Sequence, residues 1–398
     1  MFYSAQPDVY LVTGENEFDV NQLIKGESIM FRFAATPRFA ALILLTLAVA
    51  QVSSAQQPAG PQPDGPIDAA TRTQIIESIS KRLNEAYVFP EVAKKMETSL
   101  RERAAKKDYD QITSARTFAE TLTRDLQAVS NDRHLRVLYS HEPLPVRQTR
   151  GEPTAEERED ERRELNWMNH GFNKVERLRG NIGYIEFRGF FDPDLGAETL
   201  AAAMNFVSAT DALIIDLRSN GGGSPQMVAL VCSYLFGAEP VHLNDLFWRE
   251  GNRTEEFWTR KEVAGKRYLN KDVYVLTSKR TFSGAEEFTY NLKNLKRATI
   301  IGETTGGGAH PGGEFRINEH FDMFVPSGRA ISPITKTNWE GTGVKPDIEV
   351  PADQALLVAR LTALKKSVPT LTNPAFKAGV QEVIQELEKE LTELKAKK

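Results

Sequence analysis

The sequence predicts an α/β protein in which a core of alternating strands and helices follows a small N-terminal helical bundle. Three observations carry that expectation. From Ile67 to about Asn131, apolar residues recur at spacings of three and four, the period of helices with one buried face. From Asn181 to Leu217 the pattern runs strand, helix, strand, which argues for parallel pairing through a right-handed crossover. From Val273 to Gly313 the chain reads as strand, tight turn, helix, strand and glycine loop, VYVLTSKRTFSGAEEFTYNLKNLKRATIIGETTGGGAHPGG.

Before the bundle stands an address label. From Met30 the chain carries basic Arg32 and Arg38, an apolar run from Phe39 to Val52, and small residues Ser53, Ser54 and Ala55 at a cleavage point, the form of a secretory signal peptide. The apolar run is shorter than the roughly 20 residues of a membrane span. Residues 1–29 hold Asp8, Glu15, Glu17, Asp19 and Glu27 ahead of that basic region, so translation is expected to start at Met30, with 1–29 a start-site misassignment. Residues 56–66, QQPAGPQPDGP, form a linker by composition. The single cysteine, Cys232, sits in the apolar run MVALVCSYLF and is expected to be a buried side chain rather than a nucleophile. Export without an internal disulfide suits a bacterial periplasm or the cell exterior.

The bundle is expected over 67–140. Its stripes are Ile75, Ile76, Ile79, Leu83 and Ala86, then Val92, Met96 and Leu100 after the break at Phe89-Pro90, then Ala115, Phe118, Ala119, Leu122, Leu126 and Val129. Its last turn would deliver His134 to the rest of the chain. Residues 141–170 form a charged linker; its mixed-charge run 149–164 reads as a solvated loop or exposed helix. The core is placed at 171–355 and a helical tail at 356–398. In the core, Ala212–Leu217 is a buried strand, and Glu314–Ile317 with Asp322–Pro326 a hairpin. In the tail, Val380, Val383, Ile384, Leu387, Leu391 and Leu394 share one face, which would pack on the core or pair with another copy of the chain.

Within the stretch from Val273, Ala285, Phe288, Leu292 and Leu295 give the helix an apolar face and leave Glu286, Glu287 and Lys293 to point outward. Ser283 then stands at the helix N-terminus, where unpaired N–H groups and the helix dipole suit an N-cap and a nucleophile equally. Upstream, the loop DLRSNGGG, Asp216–Gly223, follows a buried strand but holds neither GxGxxG nor GxxxxGK[ST], which argues against a nucleotide site. Asp216 and Arg218 are expected to order that loop.

Together, SGAEEF, IIGETTGGG, DLRSNGGG, His134 in SNDRHLR and Glu340 in NWEGTGVKPDI resemble the serine peptidase family of the C-terminal processing proteases and the tricorn core. The resemblance spans roughly Ile67 to Pro351. The loop after the nucleophile helix lacks the lysine that the processing proteases use, and no PDZ module is evident. Both features point to the interphotoreceptor retinoid-binding-protein-like branch. The resemblance implies the crotonase/ClpP-like βα core of the tail-specific proteases, with 171–355 as the catalytic core. It also implies Ser283 as nucleophile, His134 as general base, Glu340 as the group that orients it, and an oxyanion hole from the amides of Gly221 or Gly222 with Gly284. His310, in the glycine loop, is a secondary candidate for substrate contact; Asp347 is the alternative to Glu340.

With 40% hydrophobic and 26% charged residues and a net charge of −4, the chain has the balance of an ordinary globular protein, and no basic stripe proposes nucleic acid as a partner. The expected activity is hydrolysis of polypeptides, unfolded or C-terminal segments among them, with no metal or organic cofactor. Two other functions share the same fold and residues: a non-catalytic carrier of apolar ligands and an ester hydrolase.

Overall fold

The computed structural model describes residues 63–144 and 154–397; the signal-like segment, residues 1–29 and most of the linker lie outside them. The bundle comprises α1 (Ala69–Ala86), α2 (Pro90–Ala105) and α3 (Ala115–Ser130), followed by β1 (Arg136–Tyr139). Caps set its ends: Asp68 and Ser114 accept from Thr71 and Thr117 N–H, and Asn131, at φ +54°, stops α3 in the left-handed conformation that asparagine tolerates. The stripes Ile75, Ile79, Leu83, Met96, Phe118 and Leu122 meet in one core.

Next come α4 (Ala155–Trp167), β2 (Phe172–Leu178), β3 (Ile182–Phe187), α5 (Pro193–Val207), β4 (Ala212–Asp216) and α6 (Pro225–Ser233). They are followed by β5 (His242–Trp248), β6 (Arg253–Trp258), β7 (Asp272–Thr277), α7 (Gly284–Asn294) and β8 (Thr299–Gly302). The chain closes with β9 (Gly312–Arg316), β10 (Phe321–Pro326), β11 (Gly328–Ile331), β12 (Ile348–Glu349), α8 (Ala355–Ser367) and α9 (Pro374–Ala396). The mixed-charge run thus becomes α4, capped by Thr154 and buried only at Leu165.

The main sheet has the order β12-β8-β7-β4-β3-β2, parallel throughout except for the antiparallel edge strand β2. Period-two alternation splits each central strand between two cores. Leu213, Ile215, Val273 and Val275 pack with α5, α6 and α7, while Ile214, Tyr274 and Leu276 pack with Leu357, Leu361 and Leu364 of α8. Of the tail face, Val383 and Leu387 are buried, in the same cluster as α8.

The hairpin β9–β10 pairs with β1, and Phe321, Met323 and Val325 join the bundle core, so the turn after α3 is held against the catalytic half. A third sheet, β11-β5-β6, flanks it. Among the described residues no helix is long and apolar enough to cross a membrane.

Candidate active site

The site is built first from a local turn. β7 ends at Thr277, and a tight turn follows: Thr281 N–H donates to Ser278 O (3.0 Å), and Phe282 N–H donates across to Asn220 O (3.1 Å). Ser283 then takes φ +53°, ψ −123°. That region is sparsely populated for a residue with a side chain and costs about 1–3 kcal/mol, so the surroundings must enforce it. They do so from two sides. Glu286 Oε2 accepts the Ser283 N–H (2.9 Å). On the other side lies Gly222, where a Cβ would stand 2.7 Å from the Ser283 Cβ and 2.6 Å from Gly284 N. Only glycine fits at 222, and its φ of +102° agrees. Ser283 holds the N-cap position, and Glu286 closes the capping box from the third helical residue by accepting the Ser283 N–H.

Glu286 corrects the expectation of an outward face. It is fully buried. Its Oε1 accepts from Gly307 N–H (2.6 Å) and the Thr305 hydroxyl (2.5 Å), and its Oε2 from Gly308 N–H (2.8 Å) as well as from Ser283. One carboxylate thereby ties the Ser283 turn to the glycine loop. Burial pushes its pKa up to about 7 against the pull of those donors. The S-x-x-E spacing of a capping box was the signal for it. Glu287 is buried too, inside the core with Oε1 unpartnered, and burial raises it to about 8.

The expected oxyanion donors need a second correction. The Gly221 N–H is directed at Arg188 O (3.3 Å), and the Gly222 N–H at Asn220 Oδ1 (2.9 Å). Among the described residues, the Gly223 and Gly284 amides have no hydrogen-bond acceptor. They lie side by side: a Cβ on Gly284 would stand 3.0 Å from Gly223 N. Asp216 and Arg218 order the loop as expected, through a forked ion pair and a bond from Arg218 Nη1 to Ala352 O (2.7 Å).

His134 arrives from the bundle. Its ring lies against Phe282, the neighbour of Ser283 (centroids 4.6 Å apart), and against Phe324 (5.8 Å). It is 6% exposed, and its Nδ1 has no partner. Burial lowers its pKa to about 4, with Asp132 pulling the other way. A Cβ at Gly308 would come within 2.6 Å of its Cε1, so the glycine loop packs against the ring.

Glu340 does not reach that ring. Its Oε1 accepts from Arg133 N–H (3.3 Å), its Oε2 accepts from Ala309 N–H (2.5 Å), and His310 Nδ1 lies 3.5 Å from Oε2. Burial first, then the like charge of Asp132, raise its pKa. The carboxylate nearest His310 is Asp132, whose Oδ2 is 2.7 Å from Nδ1 and also accepts the Tyr87 hydroxyl (3.1 Å). Asp132 Oδ1 accepts the His134 N–H (3.1 Å). Sequence reasoning passed over Asp132, although it stands two residues before His134. Asp132, His310 and Glu340 have a donor set that a metal could use. The 2.7 Å contact, however, is a hydrogen-bond spacing; two ligand atoms on one tetrahedral zinc stand about 3.3 Å apart.

The remaining expectations fall away from the site. Asp347 accepts from Ile300 N–H (2.8 Å) and pairs with Lys293 (2.9 Å). Cys232 is fully buried, with its thiol pushed well up by burial.

A strained serine beside the free Gly223 and Gly284 amides at the head of a buried helix, with the His134 ring packed on the adjoining Phe282, fits a hydrolase of the serine-nucleophile class. The comparisons make the class specific. Residues 181–350 match the model of peptidase family S41, and residues 69–166 match the N-terminal domain of peptidase S41 in eukaryotic IRBP; together they cover more than half of the chain. Among solved structures, a Parabacteroides merdae protein assigned as a peptidase shares the fold (TM-score 0.52, 17% identity, 76% of this chain and 97% of that one). A lipoprotein from Streptococcus agalactiae (0.47, 13%, 78% and 99%) and the photosystem II D1 C-terminal processing protease (0.43, 15%, 72% and 94%) match less closely. The chain belongs to peptidase family S41 and is a serine-type peptidase.

Proposed function

We propose that the protein cleaves peptide bonds through an acyl-enzyme formed on Ser283. The Oγ attacks the scissile carbonyl carbon while His134 takes its proton, and the oxyanion so formed is held by the Gly223 and Gly284 amides. Collapse expels the amine, which leaves with the proton from His134. Water then repeats the sequence and releases the acid. Glu340 and Asp132 act here through the backbone: they hold the N–H groups of Arg133 and His134, and so position the imidazole from behind. The observation that carries the reading is the enforced φ of Ser283 against Gly222.

The test is cleavage of denatured casein by the chain from Gln56 onward beside Ser283→Ala. Turnover is expected to fall by about 10⁴-fold or more in the variant; equal cleavage by both proteins would refute the assignment. One observation favours a second reading, with His310 as base: its Nδ1 has the carboxylate partner that the His134 ring lacks. Separate alanine variants of the two histidines distinguish the readings.

Export is part of the proposal. The segment Met30–Ala55 would direct it, and the precursor mass in export-blocked cells identifies the start: a precursor retaining Met1 would rule out Met30.

A further inference from the structure

Three consecutive amides of the glycine loop are shared between two carboxylates, and the intervening peptide groups are held at both edges. The peptide between Gly307 and Gly308 donates through Gly308 N–H to Glu286 (2.8 Å) and accepts at Gly307 O from Gly341 N–H (3.0 Å). The next peptide donates through Ala309 N–H to Glu340 and accepts at Gly308 O from Trp339 Nε1 (2.7 Å). Two glycines that would otherwise turn freely are thus fixed in orientation. The loop they form packs on the His134 ring, where a Cβ at Gly308 would stand 2.6 Å from Cε1.

Glu286 joins this loop to Ser283. Four donors converge on its carboxylate: the N–H groups of Ser283, Gly307 and Gly308, and the Thr305 hydroxyl. Three of them are backbone N–H groups, which cannot accept in return, and the hydroxyl itself accepts the Val344 N–H (2.7 Å). An ionised carboxylate offers acceptors to all four. A capping box asks for less: glutamine serves in it as well as glutamate, because one oxygen suffices for the serine N–H. The other donors come from the loop that bears on the imidazole, and helix capping gives no reason for them.

We propose that Glu286 is a positioning residue: by holding the Ser283 N–H and the loop behind the His134 ring on one carboxylate, it sets the serine and the imidazole at their working separation. The proposal rests on Ser283 as nucleophile and His134 as base, and adds what aligns two groups delivered from the core and the bundle.

Glu286→Gln tests it, because glutamine keeps an oxygen for the Ser283 N–H but turns an amide group toward Gly307. Casein cleavage is read as kcat and KM at about pH 8.5, where the native carboxylate is ionised. The rate at which an aryl fluorophosphonate labels Ser283, its Oγ displacing fluoride from phosphorus, is read beside it and is independent of polypeptide binding. Circular dichroism and urea unfolding establish that the variant is folded. A folded Glu286→Gln is expected to lose about ten- to a hundredfold in both kcat and labelling rate, with KM within about threefold of native. Native kcat and labelling in the folded variant overturn the role, as does a raised KM at unchanged kcat. If Glu286→Gln does not fold, Thr305→Val decides: it should lower kcat and labelling by about three- to tenfold while Thr305→Ser retains both, and native rates in Thr305→Val overturn the role. Ser283→Ala separates the two readings. Cleavage and labelling by Ser283→Ala at native rates reject the nucleophile, whereas a silent Ser283→Ala beside a native-like Glu286→Gln rejects only the positioning role.

Discussion

Two buried imidazoles meet at the glycine loop in opposite surroundings. His134 is packed between Phe282 and Phe324 with Nδ1 unpartnered, whereas His310 is clasped through Nδ1 by Asp132 and faces Glu340. Burial without a ring partner lowers the His134 pKa to about 4, so its ring is unprotonated and free to accept a proton in neutral solution, though as a weaker base than an ordinary imidazole. A carboxylate clasp fixes the orientation of the His310 ring. In the proposed mechanism, proton transfer and scaffolding are therefore divided between the two histidines, although either side chain alone could serve as a base.

The sharpest break of this comparison is kinetic. His134→Ala should lower kcat by about 10³-fold or more, while His310→Ala should cost no more than about a hundredfold through misplacement of the glycine loop. Single-turnover rates decide it, and the reverse order would transfer the base to His310. Stability should rank the two the other way. His310→Ala leaves the buried Asp132 carboxylate without its imidazole hydrogen-bond partner, a loss of about 1–3 kcal/mol in urea unfolding, and more than His134→Ala loses.

A pH profile sharpens the contrast further. With His134 as base, the acid limb of kcat/KM should lie near pH 4, so activity at pH 5.5 stays close to its plateau. A base with an ordinary imidazole pKa near 6.5 would have lost about tenfold there.

The last contrast is in stability against pH. The folded pKa of His134 lies below its unfolded value of 6.5, so between pH 6.5 and about 4 the unfolded chain binds more protons. Its contribution is complete above pH 6.5 and is lost on acidification, by up to about 1.4 kcal/mol per pH unit. Glu286 and Glu287, raised to about 7 and about 8, act with the opposite sign as pH rises from 4.5. The readout is therefore the stability difference between native protein and His134→Ala, which should shift in favour of the native protein as pH rises from 4 to 6.5. A difference independent of pH would contradict the buried, neutral ring.

Much of this was legible in the residues. The three helical stripes, the β3–β4 crossover and the β9–β10 hairpin follow from apolar period and turn chemistry, which are local. Ser283 was legible as a turn residue at a helix start. Glu286 and Glu287 were misread because helical period alone assigns charged residues to the outer face. α7 is covered on more than one side, by the sheet and by the glycine loop, so both carboxylates are enclosed. Asp132 went unseen because its partners Tyr87 and His310 are 45 and 178 residues away.

What the sequence determined by itself is the set of elements and the identity of the chemical groups: a serine at a strand-to-helix turn, glycines before and after it, a histidine at the end of a helix, and a glutamate in a turn. Backbone conformation and apolar period depend on neighbours a few residues apart, so one chain suffices to read them. Only the tertiary structure decided which imidazole meets which carboxylate and which amides remain free. Those outcomes depend on competition among donors and acceptors brought together from the bundle, the glycine loop and the Glu340 turn, and that competition is settled only where all three segments pack.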